Sequence, residues 1–386
     1  MSRIYLDNNA STAVRPEALE AMLPYFGEHF GNASSIHAFG QESKGAMEDA
    51  RAKVAALLNA TPGEIVFTSG GTESDNMGVL GAARALQAKG RHVVVSEIEH
   101  DAVRHAADAL EAEGFTVTRV AAGPDGRVDP ASISEALRAD SILVSVMAAN
   151  NESGVVQPSA EIGAICAERG IVYHIDAVQA AGKIPIDVQA WQATYATVTA
   201  HKFYGPKGAG ALYVKRGQKS APLQFGGEHE RGRRAGTENV PAIVGFGVAA
   251  ELARTELATV PARIAALREK LERGLLARVP QVVVHGAGAT RVCNTSHLSF
   301  VGAEGEHLIL TLDTKGIACS SGSACKSGSS HPSHVLLSMG VSAAVAQTAV
   351  RLSLGRCTTE AEVDRVLEIV PPVVQKLRSA SPTFAA

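Results

Sequence analysis

From Glu64 onward the chain alternates short apolar runs with longer amphipathic ones. EIVF is followed by a helix-length stretch at 72–89, HVVV by one at 101–113, and FTVTRV by one at 130–138. The pattern continues through SILVSVM, a helical stretch at 158–169, and the strand-sized runs IVYHID, YATVTA and GALYV. Strands separated by helix-length crossovers predict parallel pairing, and seven of them predict one large, mostly parallel α/β sheet with helices on both faces. Between Val240 and Arg278, Ala, Leu, Glu and Arg recur at helical spacing, which predicts long helices bridging to a second unit. Beyond that bridge come QVVVH, SHLSF, a helix over 304–315, RLSL and a final helix from Thr359 to Arg378, a smaller α+β set. The expected division is therefore a large domain over 15–255, with 1–14 and 256–386 forming the small one. No internal repeat is visible.

Composition agrees with this picture. With 386 residues, 46% of them hydrophobic and 19% charged, the chain can bury two sizeable cores. The formal net charge is -3 with the signs interspersed, so it lacks the positive field that nucleic acid requires. No apolar run approaches the roughly 20 residues needed to cross a bilayer. The first nine residues have neither the apolar stretch nor the cleavage site of a secretory signal. Five cysteines, at 166, 293, 319, 325 and 357, are odd in number and contain no Cys-x-x-Cys pair, so neither a disulfide framework nor a metal site is expected. The expectation is a cytoplasmic protein that binds neither membrane nor nucleic acid.

Candidate chemistry lies where strands end, because ligands of open α/β sheets bind beyond the carboxyl ends of their strands. EIVF runs into Thr68-Ser-Gly-Gly71-Thr72-Glu and then a helix, which places backbone N–H groups and a hydroxyl where they can hold a phosphate. A plain tight turn accounts for this stretch equally well. IVYHID ends at Asp176, with Gln179 three residues on. A carboxylate there suits the protonated ring nitrogen of pyridoxal phosphate, although by itself Asp176 reads as readily as a helix N-cap. YATVTA delivers Thr199, His201 and Lys202 to a glycine-rich turn, and a lysine so placed can join an aldehyde cofactor through an imine. A lone lysine after a strand is ordinarily just solvated. The three signals gain weight by occurring together and in order. His100 follows HVVVSEIE at the same edge and has the titration range of a proton shuttle. Asn151 follows SILVSVM, placed to bond a substrate or a ring oxygen.

The segment from Ile317 to His334, IACSSGSACKSGSSHPSH, is a long Ser/Gly-rich loop carrying two cysteines. Such a loop is expected to be mobile, which would expose the thiol of Cys325, and Lys326 beside it favours the nucleophilic thiolate. The other four cysteines are expected to be buried and inert.

Taken together, YLDNNAST, FGNASSIH, EIVFTSGGTESDN, NNESGVVQP, HIDAVQAAGKIPID, HKFYGPKGAGALYV, GGEHERGRRAGTENVPAIVGFG, SSGSACKSG and RLSLGRCTTEAEVD span nearly the whole chain. In these motifs it resembles the cysteine desulfurases of the NifS/IscS type, within the aminotransferase class V group of fold-type I pyridoxal-phosphate enzymes. The resemblance implies that Lys202 carries the cofactor, that Asp176 pairs with the pyridine nitrogen and that Gln179 faces the ring hydroxyl. It implies that His100 stacks on the ring and moves protons, and that Gly71, Thr72, Thr199 and His201 hold the phosphate. It also implies a homodimer in which Thr237 adds a phosphate contact in the neighbouring site. Arg351 would fork onto the carboxylate of L-cysteine with Asn151 beside it, the bidentate geometry that arginine offers. Cys325 would take the sulfur as a persulfide, leaving L-alanine, and pass it to an iron-sulfur scaffold or another acceptor; a cluster bridged through Cys325 is one arrangement this allows.

Three departures from the family pattern stand out: Thr199-Ala200 in place of Ser-Gly, Lys326 in place of Thr, and Ser330-His331 in place of Leu-Glu. The last two change charge where acceptors would meet the chain. A selenocysteine lyase or an aminotransferase would share everything except Cys325 and its loop. A dinucleotide-binding protein is suggested only by Gly245-Phe-Gly-Val-Ala-Ala250, which lies inside a helical pattern and late in the chain, where that fingerprint does not belong. A scaffold protein for cluster assembly would lack the bound yellow cofactor.

Overall fold

The structure, a computed structural model, describes residues 3–322 and 332–380. Twelve strands are seen among these residues: β1 (Ile4–Tyr5), β2 (Ile65–Thr68), β3 (His92–Ser96), β4 (Thr116–Val120), β5 (Ser141–Ser145), β6 (Val172–Asp176), β7 (Tyr195–Thr199), β8 (Gly210–Val214), β9 (Val282–Val284), β10 (Thr295–Phe300), β11 (Ile317–Ala318) and β12 (Ala349–Ser353). Seven of them form the large sheet, in the order β2-β8-β7-β6-β5-β3-β4. The run from β7 to β4 is parallel, as the alternation of strands and helices predicts.

β8 breaks the alternation. It follows β7 through a short glycine-rich reversal instead of a helix, so it pairs antiparallel to β7, and β2 pairs antiparallel to β8 in turn. Two reversals leave β2 pointing the same way as β7. The Gly-Gly turn after β2 therefore emerges at the same sheet edge as the lysine after β7. Close approach helps here: a Cβ on Gly210 would stand 2.6 Å from the backbone of Gly70, so only a glycine lets β8 pass the turn.

Side-chain alternation along the strands places one apolar set on each face. Ile65, Phe67 and Val94 pack into one core with Phe246, whereas Val66, Val93 and Val95 pack into another with Leu110 and Tyr195. Each fully buried Val or Leu contributes about 1.5–3 kcal/mol, so a sheet covered on both faces is a rigid platform.

A third core joins Leu271, Leu298, Val350, Leu352 and Val370 with Ile4 and Leu6 from the start of the chain. It covers the three-stranded antiparallel sheet β12-β10-β9. The bridging stretch forms two helices, Val240–Glu256 and Val260–Arg278, each opening with proline at its first turn. The Gly245–Ala250 fingerprint lies inside the first of these, not between a strand and a helix.

The helix Ala38–Leu57 was not legible in the pattern, because most of the positions it buries are Gly40, Ser43, Ala50, Arg51 and Ala55 rather than a stripe of large apolar residues. The stretch at 72–89 is helical but widens into a π-helical turn at Met77–Gly81.

Candidate active site

Five strand ends meet in one cleft of about 330 Å³. Gly71 and Thr72 come from the turn after β2, His100 from beyond β3, and Asn151 from beyond β5. Asp176 and Gln179 come from the end of β6, and Thr199, His201 and Lys202 from the end of β7. Arg351 reaches the same cleft from β12 of the small sheet. Ten of the twelve residues singled out from the sequence are thus gathered at one place. Thr237 is exposed and lies outside the cleft, and Cys325 lies outside the described residues.

Lys202 sits in a short 3-10 turn, Ala200–Lys202, that ends β7. Its Nζ donates to the carbonyls of Asn9 and Ala10, at 2.6 and 2.8 Å. These acceptors belong to an N-terminal strap that also bonds through Thr12 to the His201 carbonyl, at 2.9 Å from the backbone N–H. Only the family motif YLDNNAST marked the strap; periodicity carried no signal for it.

Asp176 is buried, and burial pushes its carboxyl above the usual range, against the opposing pull of His100, the Val178 N–H and Lys202. The Val178 N–H donates to Oδ1 at 2.9 Å, while Oδ2 accepts no bond among the described residues. Two further buried carboxyls interact with it, and one of them, Asp75, lines the same cleft. Asp75 is raised by burial and by Asp176, and Glu99 is pushed up to about 8, mainly by burial. Asp75 Oδ1 and Glu99 Oε2 have no hydrogen-bond partner among the described residues. Stacked buried acids of this kind favour a cation in front of them.

These features fit pyridoxal phosphate. A carboxyl with an open oxygen suits a protonated ring nitrogen, Lys202 supplies the amine, and the turn before Gly71 presents the N–H groups of a helix start. Thr199 fits with a reservation: its hydroxyl donates to the Ala209 carbonyl at 3.0 Å, a bond that a phosphate would have to displace. His201 is held neutral at ordinary pH, its pKa pulled down to about 4 mainly by burial. His100 caps the following helix, its Nδ1 accepting from Ala102 N at 3.1 Å, four residues past the end of β3.

The other end of the cleft is organised differently. Arg351 is 2% exposed and makes a 2.8 Å ion pair with Asp7, and its Nη1 donates to the carbonyls of Asn151 and Gly322, at 2.9 and 3.2 Å. Its Nε has no hydrogen-bond partner among the described residues. Beside it Glu152 is raised to about 7 by burial and accepts from Ser333 Oγ at 2.5 Å. Asp7 and Glu152 carried no signal of their own in the sequence, since their importance comes only from facing Arg351.

Of the remaining cysteines, Cys166 and Cys293 are buried as expected, but Cys319 is only partly buried and Cys357 is exposed. Cys357 lies in the turn that follows β12 and is exposed there, so the expectation of burial does not hold.

An aminotransferase class-V model matches residues 4–366. A cysteine desulfurase IscS of Anaeromyxobacter sp. (strain Fw109-5) is 52% identical over 384 residues, which covers 99% of this chain and 95% of that protein. A cysteine desulfurase IscS of Methanosarcina thermophila is 50% identical over 379 residues, 98% of this chain and 94% of that one. Among solved structures, a NifS-like protein superposes with a TM-score of 0.91 at 38% identity, over 97% of this chain and all of that one. With the fold, the cleft and these relatives in agreement, the chain belongs to the aminotransferase class-V family, and within it to the pyridoxal-phosphate-dependent cysteine desulfurases of the NifS/IscS type.

Proposed function

We propose that this chain removes the sulfur of L-cysteine in the cleft, receives it on Cys325 and releases L-alanine. The observation that carries the reading is the convergence of Lys202, Asp176, His100 and Arg351 on one cleft from four different strands. When bound, pyridoxal phosphate supplies a protonated ring that takes up the electron pair released at the substrate's α-carbon. Asp176 holds the ring nitrogen's proton. Lys202 would anchor the cofactor, and its amine would hold or return a proton at the substrate's α-carbon. His100, which lines the cleft, would move protons at the substrate. Arg351 binds the substrate carboxylate, exchanging its bond to Asp7 for a stronger fork, with Asn151 beside it. Gly71, Thr72, Thr199 and His201 hold the phosphate.

The assignment of Cys325 is supported by the residues that flank its segment. Gly322 and Ser333, on either side of the segment that contains Cys325, both line the cleft. A persulfide formed there would pass to an iron-sulfur scaffold or another sulfur acceptor.

Several further features belong to this reading. The chain divides into a large domain over 15–255 and a small one made of 1–14 and 256–386, a division supported by the separate core around Leu271, Leu298 and Val350. It works as a homodimer, supported by large apolar side chains left exposed, among them Leu23, Phe26, Phe30, Ile36 and Phe225; Ile36 is 95% and Phe225 88% exposed. The segment bearing Thr237 is tied down by Arg234, whose Nε donates to Glu73 at 2.8 Å. Thr237 itself stays exposed, as a contact with a neighbouring site needs. The place of work is the cytoplasm, supported by the free thiols of Cys166, Cys293, Cys319 and Cys357. No helix among the described residues is long and apolar enough to cross a membrane.

The deciding experiment incubates the cofactor-loaded protein with L-cysteine and a reductant and follows alanine and sulfide. Wild type is expected to release both in equal amounts, and Cys325→Ala to keep the visible absorbance but release no sulfide. A fully active Cys325→Ala protein would remove the thiol from the mechanism.

A further inference from the structure

Lys183 has no part in the chemistry above, yet its side chain runs behind the cleft. It follows Gln179 by four residues in the helical turns that leave β6. Ala181 N donates to Ala177 O at 3.1 Å, and Ile184 N to Ala180 O at 3.1 Å. Residues four apart in such a turn present their side chains on one face.

Lys183 Nζ donates to Gln179 Oε1 at 2.5 Å. Gln179 Nε2 donates to the Asn9 carbonyl at 3.0 Å, and that same carbonyl accepts from Lys202 Nζ at 2.6 Å. A lysine amine in its charged form has no acceptor, and a carbonyl has no donor, so both ends of the Gln179 amide are assigned by their partners. The amide nitrogen carries two hydrogens. Asn9 takes one, and the other is left for the cleft that Gln179 lines.

We propose that Lys183 is a positioning residue: it holds the Gln179 carbonyl away from the cleft, so that the amide N–H and not the oxygen meets the ring oxygen of the bound cofactor. Without that hold, only the Asn9 carbonyl opposes a turn of the amide that would set an acceptor against an acceptor. Burial pulls Lys183 down to about 7, with Cys293 opposing and Lys202 and Arg351 adding to the shift. The hold does not depend on this titration, because the neutral amine still has N–H groups to donate. The inference rests on the assignment of Gln179 to the ring oxygen.

The test reads the visible absorbance of bound pyridoxal phosphate against pH, in the absence of substrate. That absorbance changes as the nitrogen joining the cofactor to Lys202 loses its proton. A donor on the ring oxygen stabilises the negative charge there and lowers the midpoint, so losing the donor raises it. Lys183→Met, close in shape, is expected to bind the cofactor, to keep its thermal unfolding midpoint within a few degrees, and to raise the titration midpoint by about one pH unit. Lys183→Arg, which keeps a donor, is expected to return most of that shift.

Gln179→Leu is expected to raise the midpoint by itself, and adding Lys183→Met to it should change nothing more. An unchanged midpoint in Lys183→Met, or an equal shift in the Gln179→Leu background, would overturn the role of Lys183. An unchanged midpoint in Gln179→Leu would overturn the assignment of Gln179, and the inference with it.

Discussion

The two ends of the cleft are built on different principles. At the end where we place the cofactor, Asp176, His100, Thr199 and Lys202 stand on or just beyond strands of one rigid sheet, and Asp176 keeps an oxygen open. At the end where we place the substrate, Arg351 comes from a second sheet, and its guanidinium is already engaged by Asp7 and by backbone carbonyls. The carboxyl proposed to meet a permanent ligand is thus left open, although Lys202 and Thr199 bond backbone carbonyls meanwhile, whereas the cation proposed to meet a ligand that must enter and leave has an internal counter-ion to return to. Buried charge makes the second arrangement necessary, since an unpaired guanidinium at 2% exposure would be strongly disfavoured between turnovers.

That contrast can be broken most severely at the cofactor end. Lys202→Ala is expected to lose the visible absorbance of the attached cofactor and to lower alanine release by roughly 10³-fold or more. Retained absorbance would mean that the cofactor is held by another amine.

At the substrate end, Arg351→Lys keeps the charge but loses the fork, and is expected to raise KM for L-cysteine about 10- to 100-fold with a smaller change in kcat. The cofactor spectrum should not move. A lost spectrum in this variant would show that the two ends are not separable.

The smallest effect concerns stability. Glu152 is raised by burial to about 7, so between its ordinary value and pH 7 the folded chain holds a proton that the unfolded chain has released. Stability contributed in this way is present at low pH and is lost as pH rises through that window. Relative to Glu152→Gln, the wild type should therefore lose roughly 1–3 kcal/mol between about pH 4.5 and pH 7, measured by denaturant unfolding. A difference that stays flat with pH would mean that Glu152 is ionised throughout and belongs with Arg351 as a fixed pair.

Much of the cofactor end was legible in the sequence, because strand ends can be read from apolar runs and the polar residues just beyond them are few. Asp176 after IVYHID and Lys202 after YATVTA needed no tertiary knowledge to be placed at one edge. The turn at Gly71 was harder. It reaches that edge only because β8 reverses twice the direction of pairing, and a reversal through Gly205 and Gly208 is not distinguishable from a loop by periodicity. Asp7, Glu152 and the strap at Asn9 were not legible from pattern at all, since nothing local sets them apart from ordinary surface polar residues. Cys357 was misjudged for a related reason: burial of a small apolar residue in a turn depends on what folds over it.

What the sequence by itself determined is the set of elements and the chemistry carried at their ends: hydrophobic period sets strand and helix, and a lysine, a carboxylate and a glycine turn retain their chemistry wherever they stand. What only the tertiary structure decided is which of these groups face one another. The Asn9 carbonyl between Gln179 and Lys202, and Asp7 against Arg351, join residues 170 to 344 positions apart. Such contacts arise from the packing of two sheets and a strap, and no local property of the chain encodes them.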